Sequence, residues 1–383
     1  MSRILIVGAG LYGAVCAREL HDLGHQVLVI EQREHVGGNC HTRFVEEAGC
    51  HEHVYGAHIF HTDSERIWQY VQRFARFQPY VNRVKVRHGD DFYSFPINLL
   101  TMHQVFGVRT PAEAREALAR DRLPIAEPAN LEEHCLASIG PTLYRLFIEG
   151  YTTKQWQRSP RELPADIVRR LPVRFNFDDN YFNDRFQGLP VGGYAALFDR
   201  LLAGIPVQCG VDFLADREHW QARYDQVIYT GPIDAYFDHC HGALAYRSLR
   251  FERELLPCAD HQGAAVVNYT EASVPYTRII EHKHFAHDAR GDCTLITREY
   301  PEEHRPGGLA CYPILTDANR ARHQRYQALA ETLDGKVHFG GRLGAYRYYD
   351  MHQVIGAALA QVARLAGGLA APCHADDARL LPA

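Results

Sequence analysis

The chain opens with a pattern that leaves few folds available. Residues Arg3 to Val7 are apolar and partly β-branched, Gly8-Ala9-Gly10-Leu11-Tyr12-Gly13 follows, and Ala14, Val15 and Leu20 then give a helical apolar face ending near Gly24. A second apolar run, Val27 to Ile30, ends in Glu31, eighteen residues beyond Gly13. Strand, glycine turn, helix and strand in this order predict a parallel βαβ unit of the dinucleotide-binding kind. Gly8 permits the turn, Gly10 lets the backbone approach a pyrophosphate, Gly13 lets helix and sheet pack closely, and Glu31 sits where a ribose acceptor belongs. A glycine motif alone is often just a turn; the flanking strands and the acid make this one a nucleotide site.

Composition narrows the remainder. At 383 residues with 46% hydrophobic side chains, the chain exceeds one ordinary core, so two or three packed units are expected. A formal charge of -5 supplies no global attraction for nucleic acid. Ten cysteines, never closer than ten residues apart, form neither a CxxC pair nor a zinc knuckle and read as reduced thiols. Glycines interrupt the apolar start and no apolar run reaches membrane-spanning length, so the cytoplasm is the expected location, without stable membrane insertion. The 23 histidines invite a metal reading. However, Glu281-His282-Lys283-His284-Phe285-Ala286-His287 lacks a zincin pattern and His58-Ile59-Phe60-His61 offers only two ligands, so no metal is expected.

Further along, Thr110-Pro111 and Asn130-Leu131 are helix starts, and a helix near 142 to 150 is expected to end at Gly150, with Tyr151 and Trp156 emerging just beyond it. Those aromatics serve either a core or a stacking wall; periodicity does not choose between them. Short β-like runs such as Val84 to Arg87 and Cys293 to Thr297 predict a mostly antiparallel sheet. Between helices and sheet, Arg169, Arg170 and Arg174 alternate with apolar groups in a loop that either closes over an anion or is a solvated charge cluster. At the far end, Lys336 to Phe339 reads as a strand, and Asp350-Met351-His352-Gln353 as a capping box before an amphipathic helix whose N-terminus would favour an anion. The fold class is therefore α/β (α+β overall), in three units. These are a discontinuous Rossmann-like domain from 1–78, 191–240 and 330–383, a small helical domain at 98–165, and an antiparallel sheet substrate domain from 79–97, 166–190 and 241–329.

Two resemblances sharpen the function. Glu31, Arg33 and the pair Gly37-Gly38 before Asn39 resemble the signature of the FAD-binding fold shared by amine oxidases and their relatives, which favours FAD over NAD. Over nearly its whole length the chain resembles the bacterial UDP-galactopyranose mutase family. The motifs are YGAHIFHT at 55–62, GYTTKQW at 150–156, RLPVRFNFDDNYF at 170–182, LPVGGY at 189–194, IYTGPIDAYF at 228–237, VPYTRIIEHKHF at 274–285 and GGRLGAYRYYDMHQVI at 340–355.

The resemblance implies an isomerase that interconverts UDP-galactopyranose and UDP-galactofuranose through attack of reduced-flavin N5 on the anomeric carbon, with no net redox change. Such an enzyme supplies galactofuranose for cell-surface polysaccharide and acts as a homodimer. By position in the family motifs, the implied catalytic residues are Arg278, Arg170, His61 and Asp350. The implied flavin contacts are Gly8, Gly10, Gly13, Glu31, Gly38, Asn39, His58, His61, Arg342, Asp350 and Met351, with His61 preferred over His58 for the direct contact. Phe147, Tyr151, Thr152, Trp156, Arg170, Arg174, Tyr181, Asn268, Arg278, Tyr312 and Tyr348 would hold the substrate. The competing readings are an amine-oxidase-like flavoprotein, which would consume an electron acceptor, and a non-catalytic flavin- or nucleotide-binding protein.

Overall fold

The computed structural model describes residues 1–169, 171–286, 289, 291–305 and 307–367. Its first layer is a five-stranded parallel sheet in the order Val207–Gln208, Gln26–Ile30, Arg3–Val7, Gln226–Tyr229, Val337–Phe339. The first strand is nearly all apolar because both of its faces are covered. Ile4 and Ile6 face a core shared with the helix Leu11–Asp22 and the terminal helix Met351–Gly367, whereas Leu5 and Val7 face Phe213, Tyr229, Tyr236 and Val337 on the other side. The terminal helix buries Val354, Ile355, Ala358 and Val362 along one stripe.

The second layer is a seven-stranded sheet in the order Tyr312–Pro313, Tyr246–Leu256, Thr294–Glu303, Arg278–Glu281, Val266–Tyr269, Val84–His88, Asp91–Phe95. Its pairs are antiparallel except where Val266–Tyr269 runs parallel to Val84–His88. A short third sheet pairs Phe60–Thr62 and Phe77–Pro79 with Phe186–Pro190.

The helices between start where their caps dictate. Asn98 closes a capping box with Thr101, Thr110 caps Pro111–Asp121, and Asn130 caps Leu131–Ser138. One expectation fails: Gly150 does not end a helix. It takes ordinary helical angles (φ -68°, ψ -39°), and the chain runs helically from Gly140 through a π-helical turn at Tyr144–Glu149 to Trp156. The helix stops at Gln157, which is left-handed (φ 50°). Glycine stands at 150 for packing, since a Cβ there would lie 2.1 Å from the Thr270 carbonyl oxygen. Nine cysteines are described and all are free thiols; Cys373 lies outside the described residues. Among the described residues no helix is long and apolar enough to cross a membrane.

Candidate active site

One cavity of about 2390 Å³ runs from the glycine turn to the antiparallel sheet. That exceeds the roughly 300–1,000 Å³ that holds a single small ligand, so two extended ligands fit within it. The turn end is built from backbone. Gly8 is left-handed (φ 104°), and a Cβ on Gly13 would sit 1.9 Å from the Gly8 carbonyl oxygen, which is how closely helix and strand meet. A Cβ on Gly38 would reach within 3.0 Å of the Gly10 Cα, so the two glycine turns form a trough that side chains would fill. The helix Leu11–Asp22 points its N-terminus into this trough with no side-chain cap, leaving its first N–H groups for an anion. Buried Glu31 is held at the end of the second strand by the N–H groups of Ala9 (2.7 Å) and Arg33 (2.9 Å), which donate to its carboxylate.

Two cations extend the trough. Arg33 donates to Asn39 Oδ1 (3.0 Å) and lies over the Tyr55 ring, while its Nη1 is buried with no hydrogen-bond partner. Arg342 lies against the rings of Tyr312 and Tyr348, and its Nε is equally orphaned. Orphaned buried donors lining a trough that excludes Cβ atoms fit the diphosphate and ring of FAD. Farther in, His58 donates Nδ1–H to the Gly56 carbonyl (2.8 Å), and burial pushes its pKa down to about 4, so the ring is neutral. Asp350 and Met351 line the cavity at the start of the terminal helix, where the Asp350 N–H donates to Gln353 Oε1 (2.9 Å).

The opposite end is built from side chains placed by register. Asn268 pairs with Arg278 and Arg278 with Glu299 across three neighbouring strands, so the three share one face of the sheet, and all three line the cavity. Arg278 donates from Nη2 to the Tyr151 hydroxyl and approaches Glu299 Oε2 at 3.2 Å through Nε, out of hydrogen-bond alignment. Burial raises the Glu299 carboxyl above its usual range while Arg278 opposes that shift. Asn268 Oδ1 is buried without a partner. Tyr151, Thr152 and Trp156 reach the cavity from the helix Gly150–Trp156, and Phe147 from the turn before it. Lys154 pins that helix to the loop between Val266–Tyr269 and Arg278–Glu281 by donating to the carbonyls of Tyr269 (2.7 Å), Val274 (3.0 Å) and Tyr276 (3.0 Å). Arg247 ties it to the sheet through the Gln155 carbonyl (3.1 Å) and Gln157 Oε1 (3.1 Å). Tyr312 and Tyr348 stack at 5.8 Å, and Tyr181 closes the wall.

The cavity therefore gathers every site residue expected from the sequence except two. Arg170 lies outside the described residues. Arg174 does not line the cavity; its guanidinium donates to the carbonyls of Asp178 and Asn180 and to Asn183 Oδ1, folding the loop on itself. Glu299, Lys154 and Arg247 carry no local signal in the sequence, because their roles arise from contacts between strands and helices remote in sequence. Asp260, Glu281 and His284 bring ligand atoms within 4.8 Å of one another. Glu281 there already accepts from the N–H groups of His261 and Gln262 and from Thr294 Oγ1, so this cluster fastens a loop.

Fold and cavity together define an α/β flavoprotein with a Rossmann-type cradle and a second, nucleotide-sized wall. The NAD(P)-binding Rossmann-like domain model matches residues 6–74, and the UDP-galactopyranose mutase model matches residues 146–348. A probable UDP-galactopyranose mutase of Klebsiella pneumoniae is 42% identical over 93% of this chain and 92% of its own. A dTDP-fucopyranose mutase of Escherichia coli is 37% identical over 92% of this chain and 95% of its own. The chain belongs to the UDP-galactopyranose mutase family, and as such is an FAD-dependent isomerase. A crystal structure of reduced UDP-galactopyranose mutase superposes with a TM-score of 0.76, covering 99% of this chain and 97% of that one at 15% identity. Putrescine oxidase, at a TM-score of 0.57 and 13% identity, shares the fold alone.

Proposed function

We propose that the substrate pair is UDP-galactopyranose and UDP-galactofuranose, interconverted without net redox change. When bound and reduced, FAD supplies the nucleophile that exchanges with the diphosphate at the anomeric carbon. The chain's own task is to hold nucleotide and sugar in register while that bond breaks and re-forms. Arg278 makes charge-assisted bonds to the diphosphate before and after departure, with Arg170 as its loop partner and Tyr181, Tyr312 and Tyr348 as hydroxyl donors. Tyr151 and Phe147 stack on the uracil, Thr152, Trp156 and Asn268 complete the substrate contacts, and Arg174 shapes the loop. Asp350 and His61 face the sugar and flavin. At the cradle, Gly8, Gly10, Gly13 and Gly38 admit the dinucleotide, Glu31 takes the ribose, and Asn39, His58, Arg342 and Met351 complete the contacts.

The observation that carries this reading is the Asn268–Arg278–Glu299 row facing the Tyr151 helix across from a dinucleotide cradle. The proposal extends to the three-unit division given by sequence, a homodimer, a cytoplasmic location and supply of galactofuranose for cell-surface polysaccharide. The test is to incubate chemically reduced protein with UDP-galactofuranose and follow UDP-galactopyranose by chromatography, with dTDP-fucopyranose as a second substrate. Conversion of the uridine sugar without consumption of an electron acceptor is expected; conversion of the thymidine sugar alone would reassign the substrate.

A further inference from the structure

Asp184 does not line the cavity, yet it touches a residue that does. Its reach follows from strand pairing: Phe186–Pro190 runs antiparallel to Phe60–Thr62 with Gln187 opposite His61, so a residue three places earlier folds back onto the His61 ring. Asp184 Oδ2 lies 2.7 Å from His61 Nδ1. Burial, the largest single influence, works against ionisation of Asp184, but the His61 hydrogen bond together with the charges of His61 and His352 and a backbone hydrogen bond holds the carboxyl below its ordinary range. An ionised carboxylate only accepts, so Nδ1 carries the proton and Nε2 is the ring nitrogen left for other partners.

The ring is fixed on its other sides as well. Phe182 stacks on it at 3.7 Å and 13°, and His352, second residue of the terminal helix, meets it edge-on at 5.3 Å. The backbone that carries Asp184 is also held, because its carbonyl accepts from Gln187 Nε2 (2.9 Å) and the Arg185 N–H donates to Asp63 Oδ1 (2.7 Å). The Arg185–Asp63 bond thus ties this end of the loop to the segment after Thr62 independently of the Asp184–His61 contact. His61 and Phe182 both line the cavity.

We propose that Asp184 is a positioning residue for the reaction: its carboxylate locks His61 as the Nδ1–H tautomer and couples the loop at 171–185 to the flavin end of the cavity. The inference rests on the mutase reading and on His61 facing the flavin. Its test has two arms on the FAD-loaded protein. In ¹⁵N-histidine NMR, with His61 assigned from its loss in His61→Ala, the wild-type ring should be protonated at Nδ1 and Asp184→Ala should show a tautomer mixture.

In turnover of UDP-galactofuranose, Asp184→Ala should lower kcat by on the order of 10²-fold, the cost of a misplaced group, with KM little changed and FAD retained. The Asp184→Ala, His61→Ala double variant should be no slower than His61→Ala alone, because one residue acts through the other. Multiplicative losses in the double variant, or a wild-type tautomer in Asp184→Ala, would overturn the proposal. Should the alanine variant not fold, isosteric Asp184→Asn takes its place and is expected to show the same split of kcat from KM; wild-type kcat in that variant overturns the proposal too. A wild-type protein that turns over nothing while keeping the Nδ1–H tautomer would instead sink the mutase reading and leave the pair standing.

Discussion

The two ends of the cavity are made of different materials. At the cradle, the chemistry is backbone: glycine turns, an uncapped helix N-terminus and a carboxylate held by two N–H groups. At the substrate wall it is side chain: a guanidinium, an amide, a carboxyl and several aromatic rings, arranged by strand register and by a helix nailed to a loop. The contrast teaches where each end is vulnerable. A backbone cradle fails when a side chain is added, whereas a side-chain wall fails when one is removed, and the first failure takes the fold with it while the second should not.

The sharpest way to break that contrast is Arg278→Ala. It should keep stoichiometric FAD by absorbance and lose turnover by on the order of 10²–10³-fold, the cost of removing a charge-stabilising donor. Loss of FAD in that variant would show that the two ends are one cooperative structure. Conversely, Gly13→Ala places a Cβ 1.9 Å from the Gly8 carbonyl oxygen. Because the obstacle is backbone, we expect a loss of about 3 kcal/mol in urea unfolding together with loss of flavin.

Tyr151→Ala tests the wall by binding alone. Calorimetric titration with UDP should weaken by about 1–3 kcal/mol through lost stacking, with FAD content unchanged, and an unaltered affinity would make Tyr151 a core residue. Smallest is a pH effect on buried histidines. His58 and His282 are pushed down to about 4 and about 3, chiefly by burial. The unfolded chain therefore binds protons that the folded one refuses. Stability is present above about pH 6.5 and erodes as pH falls towards the folded values, by about 1 kcal/mol per histidine between pH 6.5 and 5.5. Urea midpoints at those two pH values measure it, and His282→Gln should flatten the slope.

How much of this was legible follows the same divide. The cradle could be read from residues 3 to 39 because strand, turn, helix and acid lie within one local stretch whose spacing is set by backbone geometry. Arg278, Asn268 and Tyr151 were reachable only through family motifs, since no local pattern tells a wall residue from a core one. Glu299 left no local signal: it faces Arg278 because Thr294–Glu303 pairs with Arg278–Glu281 in one register, and a slip of one residue would turn it to the other face. Gly150 misled for a related reason. Glycine after a helical run ordinarily marks its end, but here the constraint is a carbonyl oxygen 120 residues away.

By itself, then, the sequence determined that a dinucleotide cradle forms at the N-terminal end, because turn geometry, strand alternation and helix periodicity are local properties of the chain. Only the tertiary structure decided which arginine serves the cavity. Arg278 and Arg174 have the same chemistry, yet one is drawn into a cross-strand row beside Tyr151 and the other spends its donors on loop carbonyls. A guanidinium bonds whatever acceptors the fold brings within reach, and those acceptors come from parts of the chain that meet only when the sheets close.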